Sequence, residues 1–226
     1  MKTEKKSFVG RAVTTAILLI AFIVFTVAVA TVDVQPSGID GADVGLAGIN
    51  LPVHEYFGYN ATMYKISEVL GYLALLTMAA AAATGLYQLI KGKSFAAVAP
   101  EIYLTGAYYV VVLAVYVLFE KLAVNYRPVD LGEGLEASYP SSHTVLALCV
   151  FLAASMLVRH LFNENKILSA VLCVCFAVLA AATVSTRFLS GVHWFTDILG
   201  GMILSSVLIS AYAAVSAILP AGFKKQ

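Results

Sequence analysis

Six apolar runs, each long enough to cross a bilayer, constrain this chain more than any other feature. They cover approximately 12–32, 66–90, 102–120, 144–161, 167–185 and 196–219. About 20 helical residues traverse the roughly 30 Å of hydrocarbon. Inside lipid every backbone amide must bond within its own segment, so each run reads as a helix. Composition agrees: 61% of the 226 residues are hydrophobic and only 12% are charged, whereas soluble domains carry about 25% charged residues. The expected fold is all-α, an integral membrane bundle of six transmembrane helices forming a single domain over 1–226. Glu68 and Glu120 stand at run ends, where side chains can reach the headgroups. No ionisable residue falls deep in any run.

Four cations, Lys2, Lys5, Lys6 and Arg11, precede the first run. That run is too long for a secretory leader and lacks a small-x-small cleavage site, so a retained span is expected. Ten of the fourteen Lys and Arg fall at the N-terminus, at Lys91 and Lys93, at Arg159 and Lys166, and at Lys224 and Lys225. All of these lie on one side of a six-span topology. The positive-inside rule then places both termini in the cytoplasm and turns loops 33–65, 121–143 and 186–195 outward. This asymmetry and the short loops suit a prokaryotic inner (cell) membrane. Cys149, Cys173 and Cys175 all sit within runs, as small apolar residues rather than a disulfide or metal site. The small-residue run 79–83 is expected to let helices pack closely. The first outer loop starts rich in Pro and Gly and continues as VHEYFGYNATMYK. That second piece suits a segment along the membrane surface, or an irregular loop.

Two outer loops carry three of the four remaining cations together with His residues. One contains KLAVNYRP (121–128) and PSSH (140–143); the other is TRFLSGVHWFTD (186–197). They bring Lys121, Arg127, Ser141, Ser142, His143, Arg187, His193 and Asp197 to one membrane face. Two Arg and a Lys make an anion site, since guanidinium matches phosphate oxygens bidentately and ammonium acts as a point charge. His193 and Asp197, four apart at a helix start, face each other, so the carboxylate orients one ring nitrogen and leaves the other free to attack. Gly191 permits the close turn before them. Backbone amides and Ser hydroxyls at the start of the fourth run bind anions, and His143 there is placed to protonate a leaving oxygen. Taken singly, each part has a plainer reading. An outer Arg or Lys snorkels, His-x3-Asp closes a helix-start hydrogen bond, Pro-Ser-Ser begins a helix, and a His pair with Asp suits zinc, although neither loop supplies a third His or a Cys. Together the parts point to phosphoryl transfer through a phosphohistidine.

These motifs resemble those of the type 2 phosphatidic acid phosphatases, the membrane branch of a superfamily shared with vanadium haloperoxidases. The family pattern is Lys-x6-Arg-Pro, Pro-Ser-Gly-His and Ser-Arg-x5-His-x3-Asp. Here Lys121 and Arg127 are separated by five residues, Ser142 replaces Gly, and Thr186 replaces Ser. The resemblance implies His193 as nucleophile, Asp197 as its orienter and His143 as general acid. It implies phosphate binding by Arg127, Arg187, Ser141, Ser142 and Lys121, with Lys121 in doubt because of its shortened spacing. The implied substrate is a membrane lipid phosphate: phosphatidic acid, phosphatidylglycerol phosphate or a polyprenyl pyrophosphate. No metal, cofactor or nucleic-acid partner is expected. Two alternatives keep the same binding site: transfer of the phosphoryl group to another hydroxyl, and non-enzymatic transport of an anionic lipid, which is disfavoured by the lack of ionisable residues deep in any span.

Overall fold

The computed structural model describes residues 2–132 and 134–219; Glu133, Lys224 and Lys225 lie outside the described residues. Its helices are α1 (Lys2–Thr31), α2 (Ala47–Phe57), α3 (Ala61–Gly92), α4 (Pro100–Leu122), α5 (Ser142–Leu161), α6 (Lys166–Leu189) and α7 (Phe195–Ser216). All except α2 are long and apolar enough to cross a membrane, so the chain is a multi-pass membrane protein of the all-α class.

Polar residues extend several helices beyond the apolar runs. Asn60 caps α3 by accepting the Thr62 and Met63 amides, both at 3.1 Å, and Asn165 caps α6 through the Leu168 amide at 3.0 Å. At its far end α6 continues to Leu189. Arg187, expected in a loop, therefore occupies a helical turn, because no breaker intervenes before Ser190 and Gly191. The segment between α1 and α3 is neither featureless nor wholly helical. Gln35 pairs with Val44 in a short antiparallel bridge, and α2 then packs against α7.

The central helix is α5. Half of its spanning window is buried, against 11% for α1 and α3, and it touches α3, α4, α6 and α7. Ala147, Cys149, Ala153 and Ala154 lie on its buried positions, and their small side chains admit neighbouring helices closely. The run 79–83 does not do this: apart from the partly buried Ala81 it faces outward. All three cysteines are free thiols.

Tyr139 pins the entrance to α5. Its ring fills a notch at Gly200, where any Cβ would overlap it. The ring also lies against Phe22 and Phe119, and its hydroxyl meets Thr26 Oγ1 at 2.9 Å. The start of α5 is thus held by α1, α4 and α7 together, at the end of the bundle where α6 gives way to α7.

Candidate active site

The turn from α6 to α7 is shaped by a backbone collision avoided. Gly191 has φ +68°, and a Cβ there would overlap the carbonyl of Gly58. Only glycine tolerates both conditions without strain. The Asn60 amide donates to the Ser190 carbonyl at 2.9 Å, so the α2–α3 link grips the turn from outside. Two residues on is His193, then Trp194 as the cap of α7, with Asp197 in its first turn.

Asp197 Oδ2 accepts the Trp194 amide at 2.9 Å, and His193 Nδ1 stands 3.6 Å from the same oxygen. The pair expected from the i, i+4 spacing is present, at ion-pair rather than hydrogen-bond distance. Asn125 and Ser138 flank the Asp197 carboxylate. The indole of Trp194 donates to the Tyr126 carbonyl at 2.7 Å, tying α7 to the loop that carries Arg127.

Arg187 is completely buried. Its Nη1 donates to Glu68 Oε1 at 2.8 Å and to Ser67 Oγ at 3.1 Å, and its guanidinium lies over the Tyr64 ring at 5.4 Å. The same Glu68 oxygen stands 3.1 Å from His143 Nε2. Gly71, one turn further along α3, leaves room for that imidazole, since a Cβ would come within 2.8 Å of His143 Cδ2. Glu68 therefore does not reach for the headgroups; it turns inward to a buried cation, because an unpaired buried guanidinium is costly. Arg127 pairs with Glu136 at 3.2 Å.

The expected residues do not all converge. Arg127, Arg187 and His143 are near enough to His193 for their charges to act on it. Those charges add to burial, the largest cause, and hold the His193 imidazole well below the usual histidine value. Ser141 is buried, but its amide donates to the Asp197 carbonyl at 3.0 Å and its Oγ accepts from Thr144 Oγ1 at 3.1 Å. Ser142 is the half-buried first residue of α5. Lys121 is exposed on the last turn of α4 and has no ion pair or hydrogen bond among the described residues. Thr186 turns its hydroxyl back to the Ala182 carbonyl at 2.7 Å, away from the cluster. Sequence reasoning missed Glu68, Ser67, Asn125, Ser138 and Glu136. Asn125 stands at an unspecified position inside KLAVNYRP and the other four lie outside the motifs, so only their proximity in space to the motif residues marks them.

One pattern singles out this place. Apart from the Tyr108 hydroxyl, every buried side-chain nitrogen or oxygen without a hydrogen bond among the described residues belongs here. They are Asn125 Nδ2, Arg127 Nε, Ser138 Oγ, Arg187 Nε and Nη2, both His193 nitrogens and Asp197 Oδ1. Native interiors leave few such groups. Such a concentration of unpaired donors and acceptors suits a polar ligand. Among the described residues no three His, Cys, Asp or Glu side chains gather around a point where one metal ion would sit.

A family model described as the PAP2 superfamily matches residues 73–218. The chain belongs to the PAP2 superfamily. All five of the clustered motif residues, Arg127, His143, Arg187, His193 and Asp197, fall inside the PAP2 match. The chain also superposes on the crystal structure of a transmembrane PAP2 type phosphatidylglycerolphosphate phosphatase from Bacillus subtilis. The TM-score is 0.69 at 15% sequence identity, covering 91% of this chain and 97% of that one. At that identity the likeness concerns the PAP2 fold. No curated protein matches the chain.

Proposed function

We propose that this protein is a metal-independent lipid phosphate phosphatase working through a phosphohistidine on His193. The observation that carries the reading is the cluster of unpartnered donors: the Nε and Nη2 edge of Arg187 and Nε of Arg127 beside an imidazole whose Nδ1 faces Asp197 at 3.6 Å and whose Nε2 makes no hydrogen bond among the described residues. A phosphate monoester supplies the acceptors these donors lack, and its phosphorus comes within reach of the imidazole.

In the first step the lone pair of a neutral His193 nitrogen attacks phosphorus and the ester P–O bond breaks. The leaving alkoxide takes a proton from His143. Asp197 stabilises the positive charge that develops on the His193 ring. In the second step water attacks the phosphohistidine, His143 takes its proton back, and the P–N bond breaks to release inorganic phosphate. The arginines stabilise charge on the equatorial oxygens in both transition states.

A cavity of about 290 Å³ lies between α3, α4 and α5 and extends from Glu68 and His143 along Gly71, Leu75, Val112 and Leu146. Its mostly apolar wall suits the part of a lipid next to the scissile phosphate. We assign phosphatidic acid, phosphatidylglycerol phosphate and polyprenyl pyrophosphate as the substrate class, with the reaction on the outward membrane face.

The test is phosphate release from such a lipid panel by purified protein in detergent. Wild type is expected to be active with or without chelator and to yield an acid-labile phosphoenzyme. His193→Ala should lose both activity and label, while Asp197→Asn should lose about 10²-fold or more in kcat at little change in KM. Full phosphate release by His193→Ala would refute the reading.

A further inference from the structure

Glu68 is absent from the family's three motifs, yet it makes two contacts at the centre of the site. A single oxygen, Oε1, accepts from Arg187 Nη1 at 2.8 Å and lies 3.1 Å from His143 Nε2. Tyr64, Ser67 and Glu68 sit at i, i+3 and i+4 on α3 and close over the guanidinium together. They occupy its Nη1 and its face. The side-on edge made by Nε and Nη2 stays free and buried. That edge presents two parallel donors, which two oxygens of one phosphate match.

We infer that Glu68 is a positioning residue of the phosphate pocket: it aims the free edge of Arg187, holds His143 beside the leaving oxygen, and as resident anion limits how tightly phosphate is kept. The inference rests on the phosphatase reading above. Its physical basis is charge balance. In the substrate-free site Glu68 offsets Arg187, as Glu136 offsets Arg127. A phosphate dianion entering the pocket meets the arginines and also a carboxylate bonded to one of them. Like charges at such a range repel, so part of the attraction is cancelled and the product leaves more readily. His143 lies among Glu68 from α3, Arg187 from α6, Arg127 from the loop before α5, and His193. Glu68 is the carboxylate bonded to it.

Glu68→Gln keeps the side chain's length and its accepting oxygen while removing the charge. The inference expects the Ki of inorganic phosphate to fall about tenfold, KM to fall with it, and kcat to drop as His143 loses its carboxylate. A purely structural role would move Ki the other way, since a slackened Arg187 binds phosphate less well. An unchanged or higher Ki therefore overturns the inference. Glu68→Asp retains a charge beside Arg187 but is one methylene shorter, which covers the case in which the Gln variant does not fold. Its phosphate Ki should stay within about twofold of wild type while kcat falls, because the shorter chain cannot bridge both partners. Wild-type kcat in Glu68→Asp also overturns the inference. His193→Ala separates the two levels. If it stays active, the phosphatase reading itself falls; if it is inactive and Glu68→Gln binds phosphate no tighter, only the role of Glu68 falls.

Discussion

At the scale of single residues, the site depends on burying polar groups that the protein leaves unpaired. His193 is the sharpest case. Its side chain is 1% exposed, and burial together with Arg187, Arg127 and His143 disfavours its protonated form. A depressed imidazole pKa means the unfolded chain takes a proton before the folded chain does. His193 therefore removes stability as pH falls below about 6.5, and its contribution is constant above that value. In histidine-selective NMR of the substrate-free protein, the His193 ring is expected to be neutral at pH 6.5. Half-protonation at that pH would show that the ring is not in the environment described. The residue scale also explains why the direction of Glu68 is not legible in the sequence. An acid near the end of an apolar run can point toward headgroups or into the bundle, and helical spacing alone does not choose. Its partner Arg187 is 119 positions away.

At the scale of elements, the short helix α2 does more than line the surface. Its Asn50 is fully buried, accepts the Thr196 amide at 3.1 Å and donates to Thr196 Oγ1 at 2.8 Å and to the Gly45 carbonyl at 2.7 Å. It thereby satisfies an open amide in the first turn of α7, two residues from Trp194 and three from His193. His54 of α2 meets the Trp194 ring edge-on at 5.3 Å, and Phe57 meets Phe188 at 5.0 Å. Asn50→Ala leaves the Thr196 amide buried without a partner, at a cost of about 1–3 kcal/mol. A lowered melting temperature in detergent and a reduced kcat are expected together. A variant with unchanged melting and turnover would show that α2 does not hold the α7 entrance.

At the scale of the whole molecule, alternating helices deliver the ends of α4, α6 and α1 and the beginnings of α3, α5 and α7 to one face. In the proposed function that face is the outer one, as the charge asymmetry of the sequence leads one to expect. In a cysteine-free background, Leu135→Cys, in the exposed loop before α5, is expected to react with an impermeant thiol reagent on intact cells. Asn163→Cys, between α5 and α6, is expected to react only after lysis. The reverse pattern would put the chemistry in the cytoplasm.

Much of this protein was legible in its sequence because the determining forces are local or one-dimensional. Hydrocarbon thickness fixes the length of each span, and backbone hydrogen bonding in lipid fixes it as helix. Arg187, His193 and Asp197 could be read as a unit because they sit on consecutive turns of one short segment. Which faces of the helices turn inward was decided only by packing. Small residues in α5 draw the neighbours in, whereas the equally small run 79–83 faces outward. Tertiary structure also decided that Glu68 joins the site and that Lys121, in a motif by type, stays exposed. A side chain's role there depends on the direction of its helix face and on the charge awaiting it across the bundle, neither of which is a property of its position in the chain.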